Sequence, residues 1–506
     1  MDTAVSLSTR RGKLVLALLC SLAFLDFVDA SIVNIALPDM RRALHFSVQD
    51  LQWVPSGYLL TYGGFMLLGG RLADLLGRRR VLVWGTVLIG IASLVGGLAQ
   101  NAGLLVGARL AQGVGAALML PAALSTLTTT FHEDHDRHKA LGVWGGVAGL
   151  SSAVGVLLGG VLTDGPGWRW VMLVNPVAVV LVLPAVFRLL GDDRRRPGRR
   201  QFDLLGATLA TVSMLLLVYG LVKAPDDGWG DARTIGVLTA AGVLLVAFVI
   251  VEHRGRTPLL PLSIFRIRGI AAANVTQLIA ATGIISMFYF LTLYMQGVLG
   301  YSPLKTGLSY LPLTFVVGIG AAISSNLLGR IGSRPLIITG ALIASGGIFW
   351  LSRIPVDGSF VSDLLPGMLV MALGLGMVFV AVVSAANAGV PAPQAGLAAA
   401  LLNAFQQVGG ALGLAVFSAI GTAHTNHLLR DGSPVPQAMT GGFRYALLAA
   451  SIGLFAAALI GLRTKNAHSD AEYAETDADY VELEPAVAAT TPQQEATQDQ
   501  TQKTAR

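Results

Sequence analysis

The chain has 506 residues, 54% of them apolar and only 13% charged, with 60 glycines, a formal net charge of +6 and a mean hydropathy of +0.66. A soluble domain carries about 25% charged residues, so this composition excludes an ordinary water-soluble protein and points to lipid as the solvent. A single cysteine, Cys20, excludes an intramolecular disulfide framework, and neither a C-x-x-C pair nor a G-x-x-x-x-G-K-[ST] phosphate loop occurs.

Uncharged stretches bounded by glycine, proline and charge clusters predict fourteen membrane spans at 14–36, 51–70, 81–100, 103–127, 140–162, 170–187, 204–222, 234–251, 270–297, 306–328, 335–352, 364–386, 395–420 and 445–462. Each is near the roughly 20 residues that cross a bilayer as a helix. The first follows Arg10, Arg11 and Lys13 as a signal peptide would, but it runs on to Ala36 and carries Asp26 and Asp29, so it reads as a retained span. The division between spans 12 and 13 rests on the turn at Pro391, Pro393 and Gln394, inside 66 residues without a formal charge. Positive charge is retained on the cytoplasmic side. With the N-terminus inside, the basic clusters of Arg78 to Arg80, Arg194 to Arg200 and Arg254 to Arg268 all fall inside, and an even number of spans returns the C-terminus there. The expected fold is an all-α integral membrane protein with cytoplasmic termini.

From Thr464 the character changes to nine acidic residues against three basic ones, with few large apolar side chains. Such a segment cannot offset its ordering entropy and is expected to be a disordered acidic tail over 464–506. The basic body suits an anionic inner leaflet as a lipid partner. Its arginines sit at span ends with no soluble domain to carry them, so no nucleic-acid partner is expected.

Three constellations carry chemistry. Asp26 and Asp29, three apart on span 1, occupy neighbouring positions of one helix face, with Asn34 further along. A carboxylate in the bilayer is expensive enough that it faces a cavity or takes up a proton, and two of them can share one; interhelical glue is the plainer alternative. Arg109 is the one basic residue inside a predicted span and needs an anionic or carbonyl partner, for which Asp26 or Asp29 qualifies if spans 1 and 4 meet. Gly70, Arg71, Asp74, Gly77 and Arg78 form a tight loop between spans 2 and 3, where Asp74 and the arginines can make an ion-pair latch in one conformation and break it in another. The run 132–138, five His and Asp residues among its seven, lacks H-E-x-x-H spacing because Asp136 takes the fourth place after His132, so no metal is expected.

On these residues the chain resembles the 14-helix drug:proton antiporter family of the major facilitator superfamily. The loop from Gly70 to Arg80 looks like the superfamily signature. The run from Phe24 to Pro38 looks like L-D-x-x-x-V-N-x-A-L-P with Asp29 at the aspartate position; Arg109 with Gln112 and Gly113 matches R-x-x-Q-G. The run from Asn403 to Gly413 resembles a late-helix element. Span 5 departs: Gly155, Gly159 and Gly160 match G-P-x-x-G-G, but Val156 stands where the family has proline, which leaves proton-coupled uptake as an alternative to export.

The resemblance implies an N-terminal bundle over 14–190 after a short N-terminus at 1–13, a linker with inserted spans 7 and 8 over 191–268, and a C-terminal bundle over 269–463. It implies a monomeric transporter, not an enzyme, without cofactor or metal. It would export amphipathic drugs or antibiotics across the bacterial cytoplasmic membrane against protons, as resistance or as export of a self-made antibiotic. Asp29, Asp26 and Arg109 would couple protons. The cavity candidates are Asn34, Gln112, Asn274, Gln277, Tyr289, Tyr294, Asn403, Gln406 and Gln407.

Overall fold

A long apolar segment in lipid satisfies its backbone only by closing every N–H and C=O internally, so a chain of this composition becomes helices. The computed structural model describes residues 6–47, 49–131, 134–191, 204–255, 262–267, 269–390 and 395–467, and no strand occurs among them. The helices are α1 Arg10–Leu44, α2 Trp53–Leu76, α3 Arg78–Gly97, α4 Ala102–Thr130, α5 Asp134–Asp164, α6 Arg169–Leu189 and α7 Leu204–Asp227. They continue with α8 Ala232–Arg254, α9 Ile270–Gly297, α10 Pro303–Ile331, α11 Ser333–Leu351, α12 Leu365–Asn387, α13 Ala395–Arg430 and α14 Val435–Gly461.

Thirteen of the described helices are long and apolar enough to cross a membrane. The fourteenth, α2, is diluted by Ser56, Tyr58, Thr61 and Tyr62, all buried and therefore turned away from lipid. Every predicted span coincides with a helix, but several helices outrun their predicted ends. Helix α1 continues through Pro38 to a left-handed cap at His45 (φ 55°), and α14 starts at Val435, ten residues before the span drawn from hydropathy. Polar residues project such helices beyond the hydrocarbon without ending them. A π-turn over Phe360–Leu364 leads into α12.

Helices α1 to α6 pack mainly on one another, α2 and α3 against α4, and α1 against α5 and α6; α9 to α14 form the second bundle. The bundles meet along α2 with α13, α5 with α10 and α1 with α9. Residues of both bundles share one apolar cluster at the end of the molecule that holds the C-terminal halves of α1 and α9: Ile32, Ile35 and Leu37 with Met287, Phe290 and Leu291, and Tyr310 and Leu313 of α10. There Gln296 Nε2 donates to Ile35 O at 2.9 Å. The other end, called the basic face below, carries the start of α1, the α2–α3 turn and the α10–α11 turn.

The inserted pair α7–α8 leans on α2 and α13. Gln49 Nε2 donates to Val222 O, and Lys223 Nζ meets Asp50 Oδ1 at 2.7 Å, which ties the end of α7 to the loop before α2. Helix α8 exposes Ile235, Val243, Val246, Val249 and Ile250, an apolar coat for lipid.

The first four residues of the segment expected as a tail are ordered. Thr464 to Ala467 form a strap across the α10–α11 turn, where Ser333 N donates to Ala467 O at 2.8 Å and Arg334 donates from Nε and Nη2 to Thr464 O at 2.9 and 2.7 Å. Backbone partners order these four residues despite their polarity; residues 468–506 and the arginine cluster at 194–200 lie outside the described residues.

Candidate functional site

Asp29 lies midway along α1 and is 3% exposed. Its Oδ2 accepts from Arg109 Nη1 of α4 at 2.6 Å, and its Oδ1 accepts from Asn175 Nδ2 of α6 at 2.5 Å and Gln112 Nε2 at 3.4 Å. Arg109 is 1% exposed. Its Nε donates to Val54 O at 3.1 Å, its Nη1 also reaches Gln112 Oε1 at 2.9 Å, and its guanidinium carbon stands 4.3 Å from the centre of the Tyr58 ring. Ser93 of α3 closes the cluster, accepting from Gln112 Nε2 at 2.5 Å and Asn175 Nδ2 at 3.2 Å. Five helices thus supply one network, and the buried guanidinium has the anionic and carbonyl partners that its desolvation demands.

Asp26, one helical turn earlier, has different neighbours. Tyr58 Oη donates to Oδ1 at 2.9 Å and Tyr62 Oη to Oδ2 at 3.0 Å. The two rings are four residues apart on α2 and pack edge to face with centroids 5.5 Å apart. The carboxylates expected as a pair are therefore served separately. Tyr58, Tyr62, Ser93 and Asn175 went unmarked in the sequence. The i, i+4 tyrosines and the lone amide of span 6 were detectable as polar groups, whereas Ser93 resembles every other small residue of the spans.

A stripe of accessible residues at helical spacing runs up α1: Ser21, Phe24, Phe27, Ala30, Ser31 and Asn34. Because α1 is enclosed by α4, α5, α6 and α9, this stripe opens on the space between the bundles, and it stops where Ile35 to Leu37 are sealed. Asn34 stands at its closed end. Its amide donates to Ala30 O at 3.2 Å, while its Oδ1 is buried without a partner among the described residues.

The other candidates are dispersed. Gln112 belongs to the ion-pair network. Gln277 Nε2 donates to Gln406 Oε1 at 2.9 Å, linking α9 to α13. Asn274 and Asn403 donate back to Ile270 O and Ala399 O of their own helices, with Asn274 buried and Asn403 exposed. Gln407 packs beside Gly63 of α2. Tyr289 is buried in the shared apolar cluster, and Tyr294 Oη donates to Pro355 O at 2.5 Å in the α11–α12 connection.

Gly155 and Gly159 press α5 onto α1: a Cβ on Gly155 would lie 2.7 Å from Ser31 Cβ, and one on Gly159 would lie 2.7 Å from Ile32 O. Gly160 faces the other bundle, where a Cβ would lie 2.8 Å from Leu304 Cα of α10. Val156 is buried between them in an unbroken helix. At the basic face, Gly70 lies near Pro121, Arg71 is half-buried, and Gly77 alone joins α2 to α3 with φ 100°. Arg78 Nη1 reaches Thr129 Oγ1 of α4 at 2.5 Å; the side chain of Asp74 lies outside the described atoms. His132 and Glu133 also lie outside, and Asp136 accepts from Ser6 Oγ and Leu7 N, both at 2.8 Å.

The family model described as Major Facilitator Superfamily matches residues 19–414. The chain belongs to the Major Facilitator Superfamily. It is 40% identical to the puromycin resistance protein pur8 of Streptomyces alboniger, over 84% of this chain and 85% of that one. It is 39% identical to the cephamycin export protein CmcT of Amycolatopsis lactamdurans, over 84% and 87% of the two chains. Among solved structures it resembles a bacterial homologue of the human lysosomal transporter Spinster, with a TM-score of 0.65 over 90% of this chain and 97% of that one; at 16% identity this concerns the fold alone. The superfamily and its transporter-named relatives make the chain a multi-pass transporter of the bacterial inner membrane rather than an enzyme.

Proposed function

We propose that the protein is a proton-coupled efflux antiporter that carries amphipathic drugs or antibiotics out of the cell, with the basic face and both termini in the cytoplasm. The observation that carries this reading is the buried set of Asp26, Asp29 and Arg109 on α1 and α4, beside an α1 stripe that lines the inter-bundle space. Charged groups sealed in a membrane bundle mark ion or proton pathways. The resistance and export functions named for the relatives support the outward direction, and the excess of basic residues at one face supports the orientation.

In this state the bundles are closed at the extracellular face by the cluster around Ile35, Phe290 and Leu313. The α1 stripe then opens toward the cytoplasm. A stripe that carries Phe24 and Phe27 with few polar groups favours amphipathic organic molecules over sugars, which require many hydrogen bonds. Protonation within the carboxylate set and substrate occupancy then compete for one conformational cycle, in which the bundles rock about the central site.

The test uses inverted membrane vesicles with a preset acid-inside gradient and a panel of amphipathic antibiotics and dyes. Compound-triggered alkalinisation of the lumen, absent from vesicles carrying the Asp26→Asn/Asp29→Asn double variant, is the expected result. Compound and protons moving in the same direction would replace antiport by uptake symport. A wild-type protein that is folded and moves substrate without protons would remove the coupling.

A further inference from the structure

We infer that Asp26 is the carboxylate that takes up and releases the coupling proton, and that Tyr58 links its charge to a fixed Asp29–Arg109 pair. This rests on the antiport reading above and assigns the proton within it to the aspartate outside the ion pair.

The assignment follows from the kinds of hydrogen-bond partner each carboxylate has. Every side-chain atom bonded to Asp29 is a donor with nothing to accept: Nη1 of Arg109 and the amide nitrogens of Asn175 and Gln112. A protonated Asp29 would aim an O–H into N–H groups, and would strand a guanidinium that is 1% exposed. Asp26 is met by two phenolic hydroxyls, and a hydroxyl both donates and accepts. Charged, Asp26 accepts from both tyrosines. Protonated, its own O–H donates to one phenol oxygen, whose hydrogen rotates away. Only the carboxyl O–H bond forms and breaks and each tyrosine keeps its proton, so the protonated state displaces one hydroxyl hydrogen where protonation of Asp29 would strand a guanidinium. The charged and titratable groups around Asp26 are Tyr58 and Tyr62 on α2, Asp29 on its own helix and Arg109 on α4. Among them Arg109 is the one cation, and it is bonded to Asp29.

Tyr58 makes the connection. Its hydroxyl is on Asp26, and its ring face carries Arg109 at 4.3 Å. Charge arriving at or leaving Asp26 therefore changes the pull on the ring beneath the cation. The same tyrosines hold α2 to α1, and the next residues of α2 bear on the opposite bundle. A Cβ on Gly63 would lie 3.0 Å from Gln407 Cβ of α13, and one on Gly410 would lie 3.3 Å from Leu59 Cδ1. Neutralising Asp26 loosens the grip of α1 on the helix that must slide along α13 when the bundles rock.

The experiment compares Asp26→Asn, Asp29→Asn and Tyr62→Phe in reconstituted vesicles. The substrate is whichever dye or antibiotic the wild type moves, and two readouts are taken: substrate-triggered proton movement and substrate exchange without a pH gradient. Asp26→Asn should lower the ratio of proton movement to exchange at least tenfold, whereas Asp29→Asn should lower both together and leave their ratio within about threefold. Tyr62→Phe should displace the pH profile of antiport while exchange persists. Proton movement that survives in Asp26→Asn, or is lost selectively in Asp29→Asn, would overturn the assignment. If Asp26→Asn does not accumulate in the membrane, a Tyr62→Phe pH profile that superimposes on the wild type overturns it. Wild-type exchange without any proton movement is a different failure, since it removes antiport itself.

Discussion

Arg109 and Asp29 form an ion pair at 2.6 Å with both side chains sealed from solvent, and every further bond of either one reaches another helix of the N-terminal bundle or Gln112. Removing one partner of such a buried pair costs about 3–5 kcal/mol, because the other charge is left without compensation. Arg109→Ala should therefore lower the melting temperature of the purified protein sharply and reduce transport to background. The double variant Asp29→Asn/Arg109→Gln, which removes both charges, should recover a large part of the melting temperature but not the transport. Thermal unfolding in detergent followed by vesicle flux checks both halves.

The contact of Gly160 with Leu304 tests the closed end of the molecule, proposed above to face outward. A leucine at position 160 would drive side-chain atoms into α10 backbone that already lies 2.8 Å from a Cβ there. Gly160→Leu should hold the bundles apart at that face and slow transport by at least an order of magnitude while the protein still folds, because the rest of the packing is untouched. In a Cys20→Ser background, Asn34→Cys should become reactive to an impermeant thiol reagent from the side proposed as extracellular only when Gly160→Leu is present. Equal labelling with and without it would show that this contact does not seal the face.

The strap offers a stability prediction with no expected change in transport per folded molecule. Arg334 makes two charged hydrogen bonds to one backbone carbonyl, that of Thr464, which is fully buried. Bonds to charged groups contribute about 1.5–3 kcal/mol. Arg334→Ala should lower stability by an amount in that range, and Gly332→Ala should do likewise, since its φ of 79° and the Asn466 side chain against it both disfavour a Cβ. Denaturant or thermal titration reads both.

The ion pair of Lys223 with Asp50 should behave differently. Its side chains are 28% and 37% exposed, so solvent screens the attraction and the pair is worth less than about 1 kcal/mol. Lys223→Met should shift the melting temperature little, and raised salt should not distinguish it from the wild type. A large loss would mean that the α7 anchor carries more than this one pair.

Apolar runs, charge clusters and helix breakers act locally, and for that reason the number of spans, their order and the asymmetry of basic residues were legible along the chain. The cost of a charge in lipid likewise marked Asp26, Asp29 and Arg109 before any neighbour was known. Which partners those groups have is a matter of packing between helices far apart in sequence. Ser93, Asn175 and Val54 approach Asp29 and Arg109 only because α2, α3 and α6 converge on α1 and α4. Glycines drawn together by one motif proved to face two ways, Gly155 and Gly159 toward α1 and Gly160 toward the other bundle. The position of α7 and α8 beside α2 and α13, and the strap made by Thr464 to Ala467, were likewise decided by tertiary contacts, because hydropathy records that a segment is apolar and not what it lies against.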